Sequence, residues 1–359
     1  MEASPARISA VVLAYGAEPL LSECVLALLQ SEGAEVDVVL VDNGCTTDAV
    51  DDLAGQPGVT VVRPGRNTGF AGGCNLGAAH ATGDHLAFVN GDAVVAPDAL
   101  AALARALEDP SVGLVSGSLR LYERPEVMNS AGNPVHYLGL SWAGGLGEPA
   151  SDHARTARVA SVTGAAAMCR RATWDALGGF CEPMFAYCED ADLSLRAWQR
   201  GWSVLYVPDA VVLHRYEFSR NDLKMYLLER NRLFMLLTLY ERRTLLLLLG
   251  PMLALELAML AVSLRQGWWR QKVRGWWWLL RHRRLLRERR AEVQSVRTVP
   301  DAELAALLTD DFRPGAESGV EPVAALSFVS AIYWKLVRRA LGQTGARRAT
   351  HGRYDRESS

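Results

Sequence analysis

From Arg7 to about Gly117, short apolar runs alternate with stretches of helical periodicity. Ile8–Tyr15, Val36–Val41, Val59–Val62, His85–Val89 and Val112–Ser116 read as strands, and Leu20–Gln30, Asn75–Thr82 and Asp98–Glu108 as helices. Alternation of this kind predicts an α/β domain with an open, mostly parallel sheet covered on both faces. Such sheets bind ligands in the crevice where the strands end. Between Leu119 and about Thr163 no period holds, and glycines and prolines accumulate, so this stretch is expected to be a connecting region with an acceptor-facing loop. Regular structure resumes with a strand at Ala165–Arg170, helices at Thr173–Leu177 and Asp190–Arg200, and a strand at Ser203–Tyr206.

Past Arg232 the character changes, because Leu233–Leu239 and Leu245–Leu264 are almost continuously apolar. A run of about twenty residues can cross roughly 30 Å of hydrocarbon. Gly250-Pro251 and Glu256 interrupt it, and a carboxylate at mid-depth is costly, so a span and an interfacial helix are both open readings. Trp268-Trp269, Trp276-Trp277-Trp278 and a cationic run over Arg281–Arg290 follow. Tryptophan favours the headgroup level and clustered Arg and Lys favour an anionic leaflet, which predicts a surface-lying membrane anchor. The expected division is a catalytic domain over 1–225, a helical membrane-associating region over 226–315, and a C-terminal helix with a disordered tail over 316–359.

Length and charge narrow the picture further. With 359 residues the chain holds two domains or one large domain with an appendage. The net charge of −2 gives no field that would gather nucleic acid, so no nucleic-acid partner is expected. The balance is local: eleven Lys and Arg against two Glu lie between Arg265 and Arg297. Six cysteines without a C-x-x-C pair read as small buried residues in a reducing compartment. The first seven residues run straight into a strand-like segment, which places the catalytic part in the cytoplasm.

Four segments carry candidate chemistry. Val38–Asn43 is a buried strand ending in Asp42, a carboxylate able to accept hydrogen bonds from a base or ribose. Asn67–Asn75 reads as a glycine-rich loop leading into a helix, where backbone N–H groups can meet a phosphate, although neither the dinucleotide fingerprint nor the P-loop is satisfied. His85–Asp92 is a strand that breaks into Asn90-Gly91-Asp92. One well-placed aspartate there can hold a hard divalent cation when a diphosphate supplies the other oxygens. Glu189, Asp190 and Asp192 cluster at a helix start; Asp192 and Arg196, four apart, can pair, leaving Glu189 and Asp190 free to take a proton from a hydroxyl.

In this order and spacing the four motifs resemble family 2 glycosyltransferases, with the rhamnosyltransferase-like and galactofuranosyltransferase-like branch most similar. The resemblance covers roughly Ile8 to His214 and implies a GT-A fold. Carried over, it places Ala14, Tyr15, Asp42 and Asn43 around the base and ribose, and Asn67, Gly69, Phe70, Gly72 and Asn75 at the nucleotide and its diphosphate. Asp92 matches the metal-binding acid, Asn90 stands where the first acid of that motif usually is, and His214 lies near the diphosphate or metal, which implies Mg2+ or Mn2+. Asp190 matches the general base, with Glu189 beside it. The implied reaction is inverting transfer of a sugar, rhamnose or a related one, from a nucleoside-diphosphate donor to a lipid-linked saccharide at the cytoplasmic membrane face. The resemblance points to a deoxythymidine-diphosphate rhamnose or a uridine-diphosphate sugar.

Two other classes share parts of this pattern. A sugar-phosphate nucleotidyltransferase calls for a glycine-rich loop with Arg and Lys after the first strand, and Ala14–Pro19 has neither cation. A non-catalytic membrane adaptor has no need of acids at three strand or helix ends facing one crevice.

Overall fold

The computed structural model describes residues 5–215, 221–311 and 324–342, with side chains of the last stretch described from 328. Ten strands form one sheet: β1 (Ala6–Gly16), β2 (Ala34–Cys45), β3 (Val59–Val62), β4 (His85–Asn90), β5 (Ala93–Val95), β6 (Val112–Leu121), β7 (Arg124–Ser130), β8 (Ala157–Arg158), β9 (Ala166–Arg170) and β10 (Ser203–His214). Its main path runs β3-β2-β1-β4-β9-β6-β10-β5, with β7 on β6 and β8 on β10. The helices are α1 (Leu21–Leu29), α2 (Ala49–Leu53), α3 (Gly69–His80), α4 (Ala99–Ala106), α5 (Arg171–Leu177), α6 (Glu189–Gln199), α7 (Asp222–Leu239), α8 (Arg242–Gln266), α9 (Trp269–Arg281), α10 (Arg283–Ser295), α11 (Asp301–Leu304) and α12 (Ala324–Ala340).

The continuous apolar strands follow from burial on both faces. On β1, Ile8, Ala10 and Val12 face a core shared with α1 and α4, while Val11 faces a second core shared with α3 and α6. The same two-residue alternation separates Val38 and Leu40 from Val39 and Val41 on β2, and Ala87 and Val89 from Leu86 and Phe88 on β4. An α/β class with helices on both faces is therefore what forms. The sheet is mixed rather than mostly parallel, with four parallel and five antiparallel pairings. The antiparallel pairs all involve β5, β7, β8 or β9, short strands that return along neighbours already in place. Two of these, β7 and β8, come from the stretch expected to be a connecting region.

The glycine-rich segment is also different from its expectation, because the helix begins at Gly69 rather than at Asn75. Glycine is a poor helix former, and close packing outweighs that preference here. A Cβ on Gly77 would stand 2.3 Å from Val11 Cγ1 and one on Gly73 2.6 Å from Leu13 Cδ2, so the missing side chains let α3 settle on β1.

The C-terminal helices extend the second core. Leu233 to Leu236 of α7, Leu248 and Met252 of α8, Val293 of α10 and Trp334 of α12 belong to the same cluster as Ala191 and Leu193 of α6. Helix α7 runs through residue 226 and packs on α6 as well as on α9 and α10. Part of the Trp/Arg cluster turns inward. Lys272 is fully buried and pairs with Glu229 of α7 and, at 2.7 Å, with Glu256 of α8, which also receives Arg232 and the Trp276 indole N–H. Glu256 is thus an internal ion-pair partner and not an isolated charge along α8. Arg289 reaches Asp192, and Arg290 and Arg297 bond to carbonyls at the end of α7. Apolar side chains also face outward, among them Leu246, Leu253 and Leu257 of α8, Trp277 and Leu280 of α9, and Phe328, Ile332 and Leu336 of α12, beside the exposed Arg281, Arg283, Arg284 and Arg287. The expected tail beyond residue 342 lies outside the described residues.

Candidate active site

Parallel pairing on both sides of β1 sets the ends of three strands in line. Ala14 is in register with Asp42 of β2 and Leu13 with Asn90 of β4. Ala14 is completely buried in the sheet, so its side chain does not line a pocket, whereas Tyr15 beside it is 62% exposed with its ring against Gly44. Asp42 closes the turn after β2 by accepting from the N–H groups of Gly44 and Cys45 at 3.3 and 3.1 Å. Its other oxygen pairs with Arg63 at 3.0 Å, a cation at the end of β3 that also reaches Asp51.

Asn43 is a buried hub. Its Oδ1 accepts from both the N–H and the hydroxyl of Thr68 at 2.8 Å, and its Nδ2 donates to Gly69 O and Asn67 Oδ1. Asn67 Oδ1 in turn accepts from Gly69 N–H at 2.8 Å. These bonds fasten the start of α3, and Ala71 N–H donates to Phe185 O. The Gly69 and Ala71 amides are therefore matched within the chain. Gly69 has φ +76°, and a Cβ there would lie 2.4 Å from Phe185 O, which explains the glycine. Gly72 sits one turn on, over Thr68. Asn75 bonds to both backbone groups of Phe180 and to Glu182.

The antiparallel pairing of β5 with β10 brings His214 to Asp92, with Nε2 3.2 Å from Oδ1. The other ring nitrogen meets Asn129 Oδ1 at 2.8 Å, fixing the ring. Asn90 ends β4, and its N–H donates to Ala165 O. Gly164, one residue back, donates its N–H to Asp190 Oδ2 at 3.2 Å, and the Phe70 ring lies 3.4 Å from where a Gly164 Cβ would be. Asp42, Asp92 and Asp190 are thus joined along one edge of the sheet through adjacent strands and the Gly164-Ala165 turn.

Asp190 is held by three donors: Gly164 N–H, Asn133 Nδ2 at 3.4 Å and Ala191 N–H at 2.7 Å. Burial raises its pKa and these hydrogen bonds oppose the rise. Glu189 is 6% exposed, and burial, with the Asp190 charge second, pushes its pKa up to about 8 from 4.5. Burial thus favours the protonated form of Glu189, while the three donors on Asp190 favour its carboxylate, the form able to accept a proton. Asp192 turns to the opposite side and pairs with Arg196 at 2.7 Å, as the four-residue spacing requires.

The segment leading into this pair is strained. Phe185, Tyr187 and Cys188 have φ of 66°, 69° and 67°, a region that costs non-glycine residues about 1–3 kcal/mol each. Phe185, at ψ −64°, centres a γ-turn closed by Ala186 N–H to Met184 O at 2.8 Å. Three functional neighbours escaped sequence reasoning. Asn133 lies in a stretch without periodicity and carries no local signal. Arg230 and Asn231, which bond to the strained segment, belong to Glu229-Arg230-Asn231-Arg232. Four consecutive polar residues on every side of an otherwise apolar helix cannot all reach water, and that was a readable sign.

Residues 5–235 match the family described as Glycosyltransferase like family 2, and the chain belongs to that family. It is an enzyme of the glycosyltransferase class. The chain is 28% identical over 234 residues to the N-acetylglucosaminyl-diphospho-decaprenol L-rhamnosyltransferase of Mycobacterium tuberculosis, a match covering 58% of this chain and 76% of the relative. It is 29% identical over 188 residues to the pre-mycofactocin glycosyltransferase of the same organism, covering 52% and 38%. Among solved structures, GalNAc-T7 with UDP, GalNAc and Mn2+ superposes with a TM-score of 0.53 at 16% identity, over 67% of this chain and 49% of that one. S. aureus TarS gives 0.52 at 15% identity, over 93% and 55%. The chain thus spans about half the length of these solved relatives, and the likeness to them is one of fold.

Proposed function

We propose that this glycosyltransferase moves a sugar from a nucleoside diphosphate to a hydroxyl of a lipid-linked saccharide, inverting the anomeric carbon in a single displacement. The observation that carries the reading is Asp190, a buried carboxylate oriented by Gly164 and Asn133 at the sheet edge that also holds Asp92 and His214. Asp190 takes the proton of the acceptor hydroxyl as the oxygen attacks C1 from the face opposite the diphosphate, and the C1–O bond to the diphosphate breaks. Tyr15 and Asp42 flank the nucleoside, the exposed ring offering a stacking face and the carboxylate accepting from ribose or base. Asn43 and Asn67 hold the start of α3 beneath the diphosphate, and Gly69, Phe70 and Gly72 form its surface. Similarity to the mycobacterial rhamnosyltransferase supports rhamnose on a deoxythymidine or uridine diphosphate as donor, and a prenyl-diphosphate-linked saccharide as acceptor.

Asp92 and His214 suit a divalent cation: one carboxylate oxygen and one imidazole nitrogen on a ring fixed by Asn129. Among the described residues no three or more His, Cys, Asp or Glu gather as a metal site, so the remaining ligands fall to the substrate. Bound there, Mg2+ or Mn2+ supplies countercharge to the leaving diphosphate.

The exposed apolar residues of α8, α9 and α12 support docking on a membrane surface, the cytoplasmic face on this proposal. Helix α8 is long and apolar enough to cross, with 11% of its most apolar window buried, but Glu256 near its middle is bonded to α7 and α9. That attachment favours a helix lying along the surface. Transfer assays with several nucleotide sugars and a prenyl-diphosphate saccharide test the reading. Asp190→Asn is expected to lower transfer by about 10²–10⁴-fold, the range of general-base catalysis. Retained activity moves the base elsewhere, and failure of the full chain to bind anionic vesicles removes the membrane half.

A further inference from the structure

The loop that precedes the base is held from outside the sheet. Arg230 Nη2 donates to Pro183 O and Met184 O, both at 2.8 Å. Asn231 Nδ2 donates to Met184 O, Ala186 O and Tyr187 O at 2.8–2.9 Å, and its Oδ1 accepts from Arg230 Nε. Both side chains are buried, and the Arg230 guanidinium lies 4.5 Å from the centroid of Trp278 of α9. Of the carbonyls they grip, those of Met184, Ala186 and Tyr187 adjoin the positive-φ residues Phe185, Tyr187 and Cys188, and that of Pro183 lies one residue further back. The same loop supplies Phe185 O to Ala71 N–H at the start of α3, and ends at Glu189-Asp190.

From this geometry we infer that Arg230 and Asn231 are positioning residues for transfer: they hold the strained 185–188 segment so that Asp190 stays in register with the donor-side start of α3. A strained turn persists only where its surroundings over-determine it, and contacts from Arg230 and Asn231 to the carbonyls of Pro183, Met184, Ala186 and Tyr187 do so here. Without them the backbone relaxes to negative φ and carries both Asp190 and Phe185 O with it. Because α7 also carries Glu229, paired to buried Lys272 of α9, the grip links the base to the helices that bear the exposed apolar surface.

This inference rests on Asp190 acting in glycosyl transfer, and the experiment separates the two. The full chain and its Asn231→Ala variant are compared for transfer kinetics, for the pH profile of kcat, and for hydrogen exchange of the 183–191 amides. The expected result is faster exchange confined to that segment, kcat lower by about 10²-fold with donor KM little changed, and a displaced acid limb. Cys188→Gly in the Asn231→Ala background, which relieves the left-handed backbone, is expected to recover part of the lost kcat. If Asn231→Ala does not fold, Arg230→Lys, which keeps the charge but loses the fork, is read in the same way. Unchanged kcat and pH profile per folded molecule overturn the inference, as does unchanged exchange at 183–191. A wild-type chain inactive with every donor, together with faster exchange in the variant, overturns the transfer reading and leaves the grip as a structural fact.

Discussion

On the donor side of the sheet edge, polar side chains satisfy one another locally: Asn43 meets Thr68, Gly69 and Asn67, and Asp42 closes its own turn. On the base side, an acid whose burial favours its protonated form adjoins the candidate base, three non-glycine residues sit at positive φ, and the bonds that hold them come from α7. The first arrangement is relaxed and, apart from the Ala71 N–H bond to Phe185 O, closed on itself. The second is costly and depends on helices far along the chain. The contrast suggests where each half is vulnerable: the donor side to changes in its own turn, the base side to changes anywhere in the C-terminal layer.

Breaking that dependence should give the largest effect on stability. Lys272→Met leaves Arg232 as the one cation for both Glu229 and Glu256, and a buried ion group that loses one partner is destabilised by about 3–5 kcal/mol. Thermal melting should show the loss, and hydrogen exchange should show it reaching 183–191 while the amides around Asn43 stay protected. Equal loosening of both sides would erase the contrast.

Glu189→Gln acts on the base side in the opposite direction. The folded pKa, about 8, lies above the ordinary 4.5, so the folded state binds this proton more tightly than the unfolded chain. Stability from this group is fully present below about pH 4.5 and is lost as pH rises toward 8. Replacing it by the neutral amide should therefore stabilise at pH 7 and above, on the order of a few kcal/mol, and flatten the fall in melting temperature between pH 5 and 8. An unaltered pH–stability curve would show that Glu189 is not the titrating group.

Asn43→Ala tests the donor side. It leaves Thr68 N–H and hydroxyl without their acceptor, at about 1–3 kcal/mol for buried groups, and is expected to raise donor KM more than it lowers kcat. Arg63→Ala should do least: its pair with Asp42 is half exposed, and such pairs contribute at most about 1 kcal/mol. A melting shift larger than that of Asn43→Ala would reverse the ranking.

Much of the fold was legible because its signals are contiguous. Strands β1 to β4 and β6 and the Asp192–Arg196 pair follow from spacing along one element, whereas the three-residue β5 is too short to show a period. The glycine segment was misread as a loop because its glycines serve contact with Val11 and Leu13, residues about sixty positions earlier. The Trp/Arg cluster was legible as composition, but not the inward turn of Lys272, Arg289, Arg290 and Arg297, because charge counts carry no direction.

Periodicity alone determined the alternation of strand and helix, the acids and glycines at its breaks, and the apolar C-terminal run. Tertiary structure alone decided that Asn133 meets Asp190 across 57 positions, that Asn231 grips Met184 across 47, and that burial pushes the Glu189 pKa up to about 8. The reason is physical: a hydrophobic period is a property of neighbours in the chain. The partner of a side chain, and the proton on a buried acid, depend on what packing brings near and how much water it removes.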